Sequence, residues 1–297
     1  MNTLGIDVGG TTIKYALVDE NGIIDESTRG VINTVDEKDK VINSLKTILE
    51  TFPTVEAVGV SFPGVVQGKG YLRSAGALRS MFDIDLYKTL SEFTDATLTI
   101  INDANAATLA EKSSGAAQDF HDYVLFAVGT GIGGGIVINN QIVTGHSGMA
   151  GEFGFLSLDM HADEYDDFSL SRQGAIGGVL GGLIRNYRIH SVPEKTLSGI
   201  EIFELADHDE PLAKREVANF YQSLAQGIID VVVVLDPEVV VVSGGITQRP
   251  TFLTELKDAI HKLQLSRPRY QDIDLPEVVL AKLKADAGIV GAAYSTK

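Results

Sequence analysis

Two stretches of this chain share one pattern of apolar and polar positions. In the first, the run from Leu4 to Val8 breaks at Gly9-Gly10-Thr11-Thr12, resumes as Ile13 to Val18 and turns at Asn21-Gly22. In the second, the run from Tyr123 to Val128 breaks at Gly129-Thr130-Gly131-Ile132-Gly133-Gly134-Gly135, resumes as Ile136 to Ile138 and turns at Asn139-Asn140. The spacing predicts two β-hairpins of nearly equal length, each with a tip rich in glycine and threonine. A repeat of this kind points to two related halves. Backbone N–H groups exposed at such a tip bind phosphate oxygens, and glycine lets the backbone approach them closely. Glycine serving only the turn is the competing account of either tip; the matched pair favours phosphate binding.

Elsewhere the periodicity alternates between strand and helix. A third strand is expected near Ser27 to Asn33, then a helix over Val35 to Glu50 with Val41, Ile42, Leu45, Ile48 and Leu49 on one face. Val55 to Val60 and Leu98 to Ile101 read as strands, Asp85 to Phe93 and Ala104 to Lys112 as helices. In the second half, helices are expected over Ala175 to Tyr187, Gly199 to Ala206, Pro211 to Leu235, Phe252 to Leu263 and Ala287 to Tyr294. Val239 to Val242 and Val278 to Ala281 are the strands between them. His161 to Ser171 is polar, acidic and aperiodic, which predicts a surface loop. No linker rich in proline or serine divides the halves. The repeat places a boundary near Asp119, giving domains 1–118 and 119–285, with a closing helix at about 286–297 packing back on the first.

Composition narrows the classes of function. The 297 residues suffice for one large or two medium domains. A formal charge of −16 argues against nucleic acid or an anionic membrane as primary partner. The absence of cysteine excludes disulfides, thiolate zinc sites and a cysteine nucleophile. No secretion signal is legible, and the longest apolar runs are short and broken by Asp230, Asp236 and Glu238, so a cytoplasmic protein is expected.

Four places carry candidate chemistry. Asp7 ends a strand beside the first tip; a carboxylate there suits a Mg²⁺ ion held directly or through water, since it would otherwise repel a nucleotide's phosphates. A turn-capping aspartate is the plainer account. Asn102-Asp103-Ala104-Asn105 stands where a strand hands over to a helix. Asp103 suits a general base for a hydroxyl, and a helix cap is the alternative. Glu152, between Gly151 and Phe153-Gly154, could accept hydrogen bonds from sugar hydroxyls. Ser243-Gly244-Gly245 ends a strand where a nucleotide's ribose or base could pack. His161, Asp163 and Glu164 form the one cluster resembling a metal site, and a solvated loop accounts for it.

Taken together these segments resemble a known family. Asp7-x-Gly9-Gly10-Thr11, Ser61-x-Pro63-Gly64, Asn102-Asp103-Ala104-Asn105-Ala106, Gly129-Thr130-Gly131-x-Gly133-Gly134 and Gly151-Glu152-x-Gly154 follow the order and spacing of the ROK sugar kinases, of the hexokinase and actin-like ATPase superfamily. The resemblance spans essentially the whole chain. It implies an α/β fold of two ribonuclease-H-like domains with an active-site cleft between them. It also implies ATP, Mg²⁺ and transfer of phosphate to a sugar hydroxyl, usually the 6-hydroxyl. By position Asp103 becomes the catalytic base, and Gly64, Gly76, Asn102 and Glu152 become sugar contacts. Asp7, Gly9, Gly10, Thr11, Thr12, Gly129, Thr130, Gly131, Gly133, Gly134, Gly244 and Gly245 become the ATP and Mg²⁺ site. A homodimer is expected.

Two departures bear on the substrate. Most members carry Glu-x-Gly-His, whose histidine binds sugar and a structural zinc, together with a cysteine cluster; here Phe155 stands in that place and there is no cysteine. No structural zinc is expected. This pattern, with Ser243-Gly244-Gly245-Ile246-Thr247-Gln248-Arg249-Pro250, resembles the β-glucoside kinases and favours an acceptor such as cellobiose. Glucokinase, N-acetylmannosamine kinase and fructokinase activities are the alternatives. The family also includes sugar-responsive transcriptional regulators with an N-terminal helix-turn-helix; a first strand expected at about Thr3 and the net acidic charge both argue against that class. A filament-forming actin-like protein is a third class, disfavoured by the Asn102-Asp103 pair.

Overall fold

A computed structural model describes residues 2–157 and 177–297. The chain begins with β1 (Thr3–Val8), β2 (Thr12–Val18), β3 (Gly30–Asn33), α1 (Lys38–Thr51) and β4 (Ala57–Phe62). Short strands β5 (Val66–Gln67), β6 (Tyr71–Leu72) and β7 (Ile84–Asp85) precede α2 (Leu86–Leu90), β8 (Thr97–Asn102) and α3 (Asp103–Ser114). Then come β9 (Tyr123–Val128), β10 (Ile132–Ile138), β11 (Gln141–Ile142), a π-helical turn (Val179–Ile184) and α4 (Arg185–His190). The remainder is α5 (Gly199–Asp207), α6 (Pro211–Leu235), β12 (Val239–Ser243), α7 (Phe252–Ser266), β13 (Glu277–Leu280) and α8 (Ala287–Tyr294).

These elements form two compact units. One comprises Met1–His121, Gly135–Gly151 and Ala281–Lys297; the other comprises Asp122–Gly134 and Glu152–Leu280. The first contains a five-stranded sheet in the order β3-β2-β1-β4-β8. β1, β2 and β3 are antiparallel, whereas β1, β4 and β8 run parallel. The second sheet has the order β11-β10-β9-β12-β13, again with a parallel run, β9, β12 and β13. The same strand order twice matches the two related halves expected from the repeat and the ribonuclease-H-like domains that the family resemblance implies.

In the first unit the core is built from Leu4, Ile6, Val58, Val60 and Phe62 of the sheet against Val41, Leu45 and Ile48 of α1. The other face is closed by α8. Glycine is required where α8 crosses the strands, because a Cβ at Gly5 or Gly59 would overlap the backbone at Ile289 or Ala292. In the second unit Val239 to Val242 are fully buried, as the unbroken apolar run of a central parallel strand requires. Helix α6 is long and apolar enough to cross a membrane by length and composition. Its buried face, with Phe220, Tyr221, Leu224 and Ile228, is that of a core helix.

Several elements differ from expectation. The small sheet β5-β6-β7 has strands of two residues each, too short to show a period. The helix expected over Asp85 to Phe93 covers only Leu86–Leu90, with Asp85 as its N-cap accepting from Lys88 N. β10 begins at Ile132, not Ile136, so Gly133 and Gly134 belong to a strand and not to the tip. The far end of that hairpin groups with the first unit, where the sequence reading assigned it to the second domain. The helix expected from Ala175 opens, among the described residues, as a π-helical turn containing Gly181 and Gly182. The loop expected over His161 to Ser171, with His161, Asp163 and Glu164, lies outside the described residues.

Candidate active site

In the first unit, Asp103 occupies the first turn of α3, where unpaired backbone N–H groups attract negative charge. Its Oδ1 accepts from Ala104 N at 2.8 Å and from Asn102 Nδ2 at 2.9 Å. Asn102, the last residue of β8, caps the helix by accepting from Asn105 N at 3.0 Å and donates from Nδ2 to Gly64 O at 2.7 Å. The buried Asn102 amide therefore fixes the carboxylate and the Gly64 loop together. Gly64 adopts φ +89, and a Cβ there would press on the backbone of Ser74 and Ala75. Gly76, at φ +56, lies close to Pro63. Asn102, Asp103, Gly64 and Gly76 thus belong to one neighbourhood.

Asp7 lies on β1, paired in register with Lys14 on β2 and Ser61 on β4. Ser61 is fully buried and donates from its hydroxyl to Asp7 Oδ1 at 3.0 Å. Burial raises the Asp7 carboxyl above its ordinary range, a shift opposed by the Ser61 hydrogen bond and by the Lys14 charge. At the adjoining tip Gly9 N donates to Thr12 O at 2.9 Å, so the Gly9 N–H is engaged within the loop. Thr12 already belongs to β2, and Gly10 and Thr11 are exposed.

In the second unit, Gly129, Thr130 and Gly131 form the tip between β9 and β10, with Gly129 N donating to Gly131 O at 2.9 Å. Val179 N and Gly181 N, at the start of the π-helical turn, donate to Gly129 O and Thr130 O at 2.8 and 2.9 Å. The tip opens into a cavity of about 680 Å³. Leu180, Ile200 and Phe203 form apolar parts of its lining, which Gly245 and Arg249 also join. Arg249 is held over the Phe203 ring, 4.7 Å from its centroid, and bridges Asp207 at 2.8 Å and Glu255 at 3.0 Å. These carboxylates raise the Arg249 guanidinium well above its ordinary value. Gly244 takes φ +113 against the backbone of Val128, which makes it a packing glycine at the end of β12.

Gly134 is likewise a packing residue. A Cβ there would overlap the Phe153 ring, which stacks on Phe126 with centroids 4.5 Å apart. Phe153 in turn anchors the short turn that carries Glu152 at its head and Phe155, which is 58% exposed, at its end. Glu152 is half-buried, and burial raises its carboxyl above the ordinary range. Sequence reasoning missed the partners of these residues. Ser61 and Arg249 appeared as parts of motifs but not as a support for Asp7 or a bridge beside the cavity. Nothing in the pattern singled out Thr34, whose hydroxyl donates to Gly9 O, or Gly288, which packs against Asp7.

The model of the ROK family matches residues 3–297. A β-glucoside kinase of Listeria innocua is 33% identical, the alignment covering 99% of this chain and 97% of that protein. An N-acetylmannosamine kinase of Vibrio cholerae is 30% identical with full coverage of both. Among solved structures, a ROK family glucokinase from Streptomyces griseus in complex with glucose and AMPPNP superposes with a TM-score of 0.74, at 25% identity, covering 99% of this chain and 98% of that one. The full-length match, the doubled strand order and the ordered motifs agree: the chain belongs to the ROK family, among its sugar kinases.

Proposed function

We propose that the chain transfers the γ-phosphate of ATP to a sugar hydroxyl, expected to be the 6-hydroxyl, with a β-glucoside such as cellobiose as acceptor. The observation that carries this reading is the setting of Asp103, a carboxylate fixed through Oδ1 by Asn102 and Ala104 in the first turn of α3. A carboxylate so placed takes the proton from the attacking hydroxyl, and phosphoryl transfer asks for little more than positioning and charge neutralisation. The two tips supply backbone donors for phosphate oxygens, and the apolar cavity beside Thr130 suits an adenosine. Asp7 and Ser61 offer only oxygen atoms, the donor set of a hard cation, so they fit Mg²⁺ held directly or through water. When bound there, such an ion would neutralise phosphate charge.

For the acceptor, Phe155 stands where most of the family carries a histidine, and its exposed ring offers an apolar face to a pyranose. The 33% identity to a β-glucoside kinase supports the same choice. Glucose and N-acetylmannosamine are the competitors, since relatives acting on both align over the whole chain. An ADP-release assay across cellobiose, aryl β-glucosides, glucose, N-acetylmannosamine and fructose tests the proposal. Sugar-dependent ADP release, fastest with a β-glucoside, is expected. A faster monosaccharide would replace the acceptor, and ADP release indifferent to every sugar would overturn the kinase reading.

A further inference from the structure

The two tips solve one electrostatic problem in the same way. A loop that holds phosphate must present N–H groups while its carbonyl oxygens, which repel the anion, are occupied elsewhere. At the second tip every carbonyl from Gly129 to Gly131 accepts a backbone N–H, from Val179, Gly181 and Gly129 respectively. At the first tip three of the four carbonyls, those of Gly9, Thr11 and Thr12, are also occupied, while that of Gly10 meets no donor among the described residues. Thr12 O takes Gly9 N, Thr11 O takes Thr34 N at 2.9 Å, and Gly9 O takes the Thr34 hydroxyl at 2.8 Å. Among the described residues, no protein acceptor meets the N–H groups of Gly10 and Thr11, or those of Thr130 and Gly131. Each tip therefore has two consecutive backbone donors that the described residues leave available to a ligand.

We infer that Thr34 is a positioning residue for the nucleotide's phosphates, acting through Gly9 and Thr11. It follows β3, so the brace is carried by the sheet edge and not by the tip itself. The second tip is braced by main-chain groups alone, which substitution leaves in place. The first depends on one side-chain hydroxyl, and that hydroxyl can be removed. Without it Gly9 O is left with no donor and turns toward solvent or ligand, where it opposes the phosphate charge.

The inference rests on the phosphate-binding reading of the tips, and the experiment separates the two. Binding of ADP and of adenosine, each with Mg²⁺, is measured for the wild type, Thr34→Val and Thr34→Ser, with thermal melting alongside and with steady-state kinetics in the best sugar found. Thr34→Val is expected to weaken ADP roughly tenfold, and to raise KM for ATP in proportion. Adenosine affinity, the KM for the sugar and the melting temperature stay unchanged, and Thr34→Ser restores the wild-type values. Unchanged ADP affinity in Thr34→Val overturns the role of Thr34, as does an equal loss for adenosine, which marks a merely structural residue. Should Thr34→Val be insoluble, Thr34→Ala carries the same comparison. A wild type whose ADP and adenosine affinities are alike refutes the phosphate reading itself.

Discussion

Gly288 and Asp7, 281 positions apart in sequence, share one volume: a Cβ on Gly288 would overlap the Asp7 carboxyl carbon. The second residue of α8 must be bare for the carboxylate to keep its place beside Ser61. Gly288→Ala is therefore expected to abolish most turnover and lower the melting temperature, because the methyl group can enter only by displacing a buried carboxylate. Combining it with Asp7→Ala should recover much of the lost stability and none of the activity. Additive losses in that double-mutant cycle would show that the two residues do not compete for space.

Asp7 itself should trade stability for function. Because burial raises its carboxyl, the native state keeps that proton to higher pH than the unfolded chain, and stability falls as pH rises through and above the ordinary value of 3.8. Asp7→Asn removes this penalty. It should melt higher than the wild type at neutral pH, with the difference vanishing below about pH 3.8, while sugar-dependent ADP release is lost. A variant that melts lower at pH 7 would contradict the sign.

Asp103→Asn keeps the shape of the first turn of α3 and removes the proposed proton acceptor. Turnover should fall by about 10²- to 10⁴-fold with sugar affinity nearly unchanged, as measured by titration of sugar against the variant. Near-normal turnover would remove Asp103 as the base.

Arg249 joins the end of α5, through Asp207, to α7, through Glu255, while lining the apolar cavity. Arg249→Ala should cost about 1–2 kcal/mol, a value reduced for the solvent exposure of Asp207, and lower the melting temperature by roughly 3–5 °C. KM for ATP should rise while KM for the sugar holds. An unchanged KM for ATP would place the nucleotide outside this cavity.

Gly134→Ala should act on Glu152 at a distance of sequence. The added methyl group would push Phe153 off Phe126, at a cost of about 1–3 kcal/mol, and the turn bearing Glu152 would move with it. A raised KM for the sugar, relieved by Phe153→Leu in the same chain, is the expected signature.

Long-period features of this chain were legible and close approaches were not. Helix α6 was read with its bounds, Pro211 to Leu235, because twenty-five residues carry a strong 3.6-residue period behind a proline start. The doubled hairpin foretold the doubled sheet order for the same reason: a repeat survives noise at any single position. The glycines were harder. Gly129 and Gly134 look alike in sequence, yet the first sits in a turn with open space around it and the second lies under Phe153. Whether a glycine serves a ligand, a turn or a neighbouring ring depends on what the fold brings against it. The Thr34 and Gly288 contacts are long-range in this sense, and no local pattern announces them.

The closing helix has a consequence for how the molecule comes into being. Its residues are needed to cover β1 and β4, but they leave the ribosome only after the entire second unit has been made. During synthesis the first unit carries an uncapped apolar groove, floored by Gly5 and Gly59, for as long as it takes to translate residues 122–280. The packing of the first unit is thus completed only by the last residues to be synthesised.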